Sequence, residues 1–374
     1  MDSDGFSLNL ADFFSSAWPY ERANAQLTWA FDEQGFWLKS PYLQVRGDEG
    51  DIAGDFAIRL LKDPAAEDYM DLRVGMRGGD ASYTERYLPK VLAQEQPQLK
   101  QWLKQAIKQG AVKEGYFQYQ GSISKGAPQN ARSITLFFDV EHAEFAYQPD
   151  WPALREGSAK VFIHDWGVEV ELDAAKTLNT RVEHANAQVV YAPAGEVTQL
   201  EVQAQLHSTV SDGLYLVQNT PLAQQAQALK EWRGNGAVPA ELKLRVPFSE
   251  QQAQVQVNMQ LDNASLQMPE QNVELDRLVG EVKFSSEKGV TAQQLTGRFL
   301  QQPFTAQVEA KNLGAELVTQ VQAQGAMPVT ALHDWLGVQQ EQPWEGAFDY
   351  QLFVTLDGED SQLVVESDLQ GVEL

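Results

Sequence analysis

Through most of this chain apolar and polar residues alternate one by one, and that period suits a half-buried β-strand and little else. "QVQVNMQL" puts Val255, Val257, Met259 and Leu261 on one side and glutamines and Asn258 on the other. "ELKLRVPF" and "LEVQAQL" repeat the pattern, as do "ITLFFDV", "FTAQVEA" and "YQLFVTL". Strands of this kind predict a large, mainly antiparallel sheet with one apolar and one wet face. The parity slips between Leu261 and Ala264, across Asp262 and Asn263, which predicts a bulge or tight turn.

Only three segments read as helices. The first opens at Pro97, a suitable first-turn proline, carries Leu99, Trp102, Leu103, Ala106 and Ile107 at helical spacing, and stops at Gly110. A second runs from Pro221 through Leu222, Ala226, Leu229 and Trp232 to Gly234. The third runs from near Pro328 through Leu332, Trp335 and Leu336 to Gly337.

The helices keep time with other features. "AWPYERANAQLTWAF", "DWPALREGSAKVFI" and "MPEQNVELDRLVGEVKF" each set an aromatic residue or Met before Pro and then run into a strand. A glycine turn follows each, at Gly35, Gly167 and Gly289, and is expected to need a conformation that other residues resist. Proline corner, strands, helix and strands thus recur three times. The chain reads as one extended segment, residues 1–374, built of degenerate repeats over 18–150, 151–267 and 268–374.

Composition narrows the function. With 52 acidic and 28 basic residues the net charge is −24, which repels nucleic acid and disfavours electrostatic docking to an anionic membrane. Without cysteine there are no disulfides and no thiolate metal sites. The start has no basic segment followed by an apolar run, and the end falls inside a strand pattern. An excised piece of a longer chain, with its targeting signal elsewhere, is the expectation.

His142, His164, His184, His207 and His333 lack metal-ligand spacing, and no nucleophile elbow, phosphate loop or dinucleotide fingerprint is present. No enzyme, metal or cofactor is expected. "GDEGDIAGD" has the acids of a calcium loop, Asp48, Glu49, Asp51 and Asp55, but neither the spacing nor the closing Glu, and reads as a solvated turn. Trp102, Trp232 and Trp335 fall on apolar helix faces, where a core role is the ordinary one, and Trp18 and Trp151 sit in the proline corners.

The stretches "RYLP…WLKQAIKQGAVKEGYFQYQG" and "FDVEHAEFAYQPDWPALREGSAKVFIHDWGVEVE" resemble the periplasmic middle region of the YhdP branch of the AsmA-like proteins. "LVGEVKFSSEKGVTAQQLTGRFLQQPF" and the closing "LVVESDLQGVEL" extend the likeness, which covers most of the chain from about residue 80. It implies a segment of an inner-membrane-anchored envelope protein of Gram-negative bacteria, located in the periplasm. It implies a long, curled, U-shaped sheet whose trough carries phospholipid toward the outer membrane and supports its permeability barrier, and it transfers no catalytic residues.

The residues support the same surface independently. Three helices of about 12 residues each cannot cover so large an apolar face, and patches beyond a few hundred Å2 mark binding surfaces. Either the sheet closes as a sandwich or barrel, or it curls into a groove that holds a phospholipid or other acyl-chain lipid. The residues expected to line that groove are Leu136, Phe138 and Val140; Leu200, Val202, Ala204 and Leu206; Leu242, Leu244 and Val246; Val255, Val257, Met259 and Leu261; and Phe304, Ala306 and Val308. Each has an equally simple alternative as ordinary core. The competing expectations are a closed β-sandwich for extracellular or periplasmic binding or adhesion, and a lipid-facing outer-membrane barrel. Inserted helices and polar stretches at 62–82 and 208–225 disfavour the barrel.

Overall fold

The structure is a computed structural model that describes residues 1–11, 14–191, 197–224, 226–313, 316–337, 344–356 and 362–373. The chain is mainly β, its strands pair antiparallel, and its helices are few and short. It divides into two units, residues 1–177 with 184–199, and residues 178–183 with 200–374.

In the first unit β1 (Asp2–Leu8), β2 (Trp18–Phe31), β3 (Gly35–Gly47), β4 (Gly50–Leu61) and β5 (Tyr69–Asp80) pair each with the next. After α1 (Thr84–Tyr87), α2 (Lys90–Glu95) and α3 (Pro97–Ala106) the meander resumes with β6 (Ile107–Ser122). It continues through β7 (Arg132–Phe145), β8 (Leu154–His164) and β9 (Gly167–Thr177). The succession of pairings does not return on itself. Strands that go out and back place connections alternately at two ends. All three helices, the Gly47–Gly50 turn and the 146–153 connection fall at one end, whereas the other has turns at 32–34, 62–68, 123–131 and 165–166.

A hairpin of β10 (Thr180–Tyr191) and β11 (Val197–Thr209) has its tip in the first unit and its base in the second. The second unit continues with α4 (Val210–Asn219), β12 (Arg233–Asn235), β13 (Ala237–Pro247), β14 (Gln254–Met268), β15 (Val273–Ser285) and β16 (Gly289–Phe299). Then follow β17 (Gln302–Leu313), β18 (Glu316–Pro328), α5 (Val329–Leu336), β19 (Glu345–Leu356), β20 (Gln362–Glu366) and β21 (Val372–Glu373). From β13 to β20 each strand pairs with the next; β12 pairs with β14, and β21 with β19. Here too α4 and α5 fall at one end of the strands, and the short connections at 248–253 and 286–288 at the other.

The helices differ in part from the expectation. α5 runs as the sequence predicts, with Pro328 as N-cap and Gly337 closing it at φ 67°. α3 stops at Ala106 rather than Gly110, because Ile107 is drawn into the ladder opposite Phe145. The helix predicted from Pro221 to Gly234 is absent. Residues 221–224 and 227–229 form single 3-10 turns, and 233–235 pair with β14. The Gln218 amide donates to the carbonyls of Leu229 and Trp232, which holds the segment in turns.

The helix formed instead is α4, one step earlier. The Thr209 hydroxyl accepts from the Asp212 N–H, and the Asp212 carboxylate, itself buried, accepts from Asn179 N–H, its side-chain amide and the Thr180 hydroxyl. Thr209–Asp212 is a capping pair that binds the helix start to the base of β10.

The predicted parity slip is a bulge in β14 between Leu261 and Ala264, with Asn263 at φ 54°. Of the three turn glycines only Gly289 has left-handed backbone, at φ 70°. Gly35 is required for space instead, since a Cβ there would sit 2.0 Å from the Leu60 carbonyl oxygen. Near Gly167 the left-handed residue is Asp165.

Candidate functional site

Directly paired residues of neighbouring antiparallel strands project to the same side of a sheet. Following the register across the first unit, one rung reads Leu43, Gly54, Val74, Phe117, Leu136, Ile163 and Val168. The next reads Val45, Ile52, Met76, Gly115, Phe138, Val161 and Val170. A third joins Val112, Val140, Ala159 and Leu172. The apolar set of each strand is therefore aligned with that of its neighbour into a continuous face.

The second unit has the same construction. Leu242 pairs with Val257, Val257 with Phe284 and Phe284 with Val290, while Leu244 lies opposite Val255 and Met259 opposite Val282. Further along, Ala306 is flanked by Leu295 and Ala323, and Val308 by Ala292 and Val321. The rungs continue to Leu352 and Val365, and to Val354 and Leu363.

Of the residues predicted to line a groove, Phe304 and Ala306 are buried and all the others are half-buried. Their neighbours Glu241, Lys243, Arg245, Gln256, Asn258, Gln260, Thr305 and Gln307 are exposed. In β11 the residues Leu200, Val202, Ala204 and Leu206 alternate with exposed Gln203, Gln205 and His207. Val246 ends the same set in β13.

Half-burial of an entire apolar set is what strand neighbours alone provide, with no second layer on top. Among the described residues the largest side chains shut off completely are Val318 and Ser40, while Tyr20, Leu278, Phe304, Met327 and Phe348 are buried in small separate clusters; a two-layer sandwich is filled by large aliphatic and aromatic side chains along its whole length. The accessible surface is 24061 Å2, whereas two separate compact bodies of half the mass would together expose about 18,000 Å2. Neither measure fits the closed β-sandwich expected as the alternative.

Cover is not uniform along the strands. On β2 the apolar set runs from Ala23, 1% exposed, and Ala25, 8%, to Leu27, 41%, Trp29, 63%, and Phe31, 77%. The buried members lie toward the helix-bearing end and the open ones toward the turns. Trp29 and Phe31 face Leu38 and Phe36 across the ladder, and Phe36 faces Leu60, itself exposed. These residues were not among those singled out from the sequence, although the alternation Ala25, Leu27, Trp29, Phe31 marks them plainly.

In the second unit the packed cluster of Ala264, Leu278, Phe304, Ala306 and Ala323 lies toward the helix-bearing end of β14–β18, with Val210 of α4 against it. Toward the 286–288 turn Phe284, on the rung of Val257 and Val290, is exposed, and every residue of β20, Leu363 and Val365 included, is exposed as well.

The helices do not roof the face; they close one end of it. Trp102 of α3 meets Phe145 edge-on, centroids 5.7 Å apart, and donates to the Tyr147 carbonyl at 2.9 Å. Trp335 of α5 repeats this with Phe299 at 5.6 Å and the Asn272 carbonyl at 2.6 Å. Trp18, between the rings of Phe14 and Tyr87, fills the first proline corner.

Among the described residues no group of His, Asp and Glu could hold a metal ion. The "GDEGDIAGD" acids are not all solvated, contrary to expectation: Glu49 is buried and binds Arg86 and the Tyr87 hydroxyl, which ties α1 to the β3–β4 turn. Asp51 and Asp55 pair with Arg46 and Arg73. Arg59 stacks on Trp37 and holds Asp32 through two 2.8 Å bonds, which keeps that carboxyl well below the usual range. Burial pushes the Tyr20 hydroxyl up to about 12. No helix among the described residues is long and apolar enough to cross a membrane.

An antiparallel meander with an aligned, incompletely covered apolar face is the class of fold that the strands of each unit define. The YhdP protein family model matches residues 1–374, and the chain belongs to that family. It is 25% identical over 303 residues to the Intermembrane phospholipid transporter YhdP of Escherichia coli (strain K12), a match that takes in 78% of this chain. The chain spans 23% of that relative's length. No solved structure matches it.

Proposed function

We propose that this chain is a stretch of a lipid conduit. The observation that carries the reading is the register: apolar residues of successive strands fall opposite one another through each unit, so the oily surface is unbroken along the hydrogen-bonding direction. Acyl chains are held against this face and head groups stay in water at the open, turn-bearing end. Transfer along it is passive, since neighbouring rungs are chemically alike and no step needs bond chemistry.

The name of the Escherichia coli relative supports phospholipid as the cargo and passage between membranes as the role; for this chain we take these to be the inner and outer membranes. The chain would then belong to a longer periplasmic protein anchored in the inner membrane, and help maintain the outer-membrane barrier. A curled, U-shaped trough would give the cargo walls on both sides. The matching Trp–Phe clasps of α3 and α5 support the repeat assignment over 18–150 and 268–374, and 151–267 would be the copy between them.

The groove-lining residues proposed are those on the half-covered rungs, Val255, Val257, Leu242, Leu244, Leu136 and Phe138 foremost. The purified chain is expected to carry phospholipid detectable by native mass spectrometry and organic extraction. A chain that emerges free of lipid from cells and takes none from micelles would sink the proposal.

A further inference from the structure

Between Glu95 and Glu114 the sequence carries four lysines, Lys100, Lys104, Lys108 and Lys113, and no acid, in a chain of net charge −24. Lys104 pairs with Glu85 and Lys113 with Glu141, while Lys100 and Lys108 have no ion pair among the described residues. Lys100 and Lys104 lie on α3, and Lys108 and Lys113 on β6 directly after it. α2 and α3 hold large apolar side chains out to solvent: Val91, 47% exposed, Leu99, 41%, and Trp102, 39%. Trp102 keeps one edge against Phe145, but packing does not explain Leu99, for α3 buries only Ala106. The helix is nonetheless fixed in place by the Trp102 bond to Tyr147, so the exposed side chains form a set surface.

We propose that α2–α3 is a docking surface for an anionic phospholipid bilayer. Unpaired lysines beside protruding leucine, valine and tryptophan are the chemistry of helices that lie in a membrane interface, with the apolar side chains among the upper acyl carbons and ammonium groups at the phosphates. A chain repelled by an anionic surface on average is oriented by such a patch, because charges farther than a Debye length are screened while those at contact are not. Protein partners of acidic character would use the lysines but have less use for three separated apolar tips. The inference is independent of lipid carriage by the sheet.

The test is flotation of the intact chain with vesicles of phosphatidylcholine alone or with phosphatidylglycerol added. Binding is expected to the phosphatidylglycerol vesicles and to fall as salt rises. The double variant Lys100→Glu/Lys108→Glu is expected to lower that partition about tenfold or more, and Leu99→Ser/Val91→Ser to lower it further in the same direction. Lys108, Leu99 and Val91 are exposed and Lys100 is half-buried, and an unchanged melting curve verifies the fold. Failure of the parent chain to float with phosphatidylglycerol vesicles, or equal flotation of parent and charge-reversed chain, overturns the proposal. Lipid extracted from the purified chain should be the same for parent and variants; its presence or absence bears on the conduit alone.

Discussion

The two ends of each strand obey the same alternation and have opposite fates. On β2 the step from Ala23 to Phe31 crosses from full burial to an aromatic ring mostly in water, with no change in the pattern of the sequence. In the second unit Ala264 and Phe304 pack at the helix-bearing end while Phe284 stands open near the 286–288 turn. The difference lies in the connections. α-Helices bring side chains such as Val210, Trp102 and Trp335 onto the adjoining ends of the strands, whereas the connections at the other end, 32–34, 62–68, 123–131, 248–253 and 286–288 among them, carry no α-helix. Alternation thus specifies which side of a strand is apolar, and the connection decides whether that side becomes core or surface.

The largest effects separating the ends should come from paired substitutions in the second unit. Phe304→Ala, at the packed end, is expected to cost about 3 kcal/mol of stability in denaturant unfolding. Val257→Glu or Leu244→Asp, at the open end, should cost under about 1 kcal/mol yet abolish lipid loading. Equal destabilisation at both positions would mean that the open end is sealed core and would break the contrast.

Asp212→Ala tests the cap that binds α4 to the base of β10. Three donors lose their acceptor, and the expected cost is about 2–3 kcal/mol, with proteolysis near residues 220–232 as a local readout.

Alkaline titration probes the packed end of β2. Tyr20 holds its proton to about 12 when folded, above an unfolded value of 10.0, so its contribution is complete below pH 10 and is lost as pH rises toward 12. Tyr20→Phe should therefore flatten the fall in stability between pH 10 and 12 while retaining the packing of the ring.

The smallest effect is a matched pair. Trp102→Phe and Trp335→Phe each remove one N–H to carbonyl bond and should each cost about 1 kcal/mol. Similar losses would sharpen the likeness of the two clasps, and a negligible loss at one would show that it is not built to the same plan.

Much of this was legible in the residues. Strict alternation placed β7, β11, β13, β14, β17 and β19, and the slip at Asp262–Asn263 placed the bulge of β14. Pro328 and Gly337 bounded α5. The helix expected over 221–234 failed because apolar spacing there was judged without the side-chain bonds of Gln218, which arise only after the chain turns back to β14. α4 was hidden by Gly213 and a polar start, although Thr209 and Asp212 stood in capping register. Burial was the least legible property. The residues proposed for the groove, from Leu136 to Val308, share one pattern, and nothing in that pattern distinguishes packed Phe304 from half-open Val257.

A meander in which each strand leans on the next has no keystone. Its contacts are local in sequence, so folding can begin at any hairpin and spread, and loss of one pair need not bring down distant ones. Heating should therefore unzip such a sheet in stages, with hydrogen exchange graded from strand to strand instead of collapsing at a single temperature.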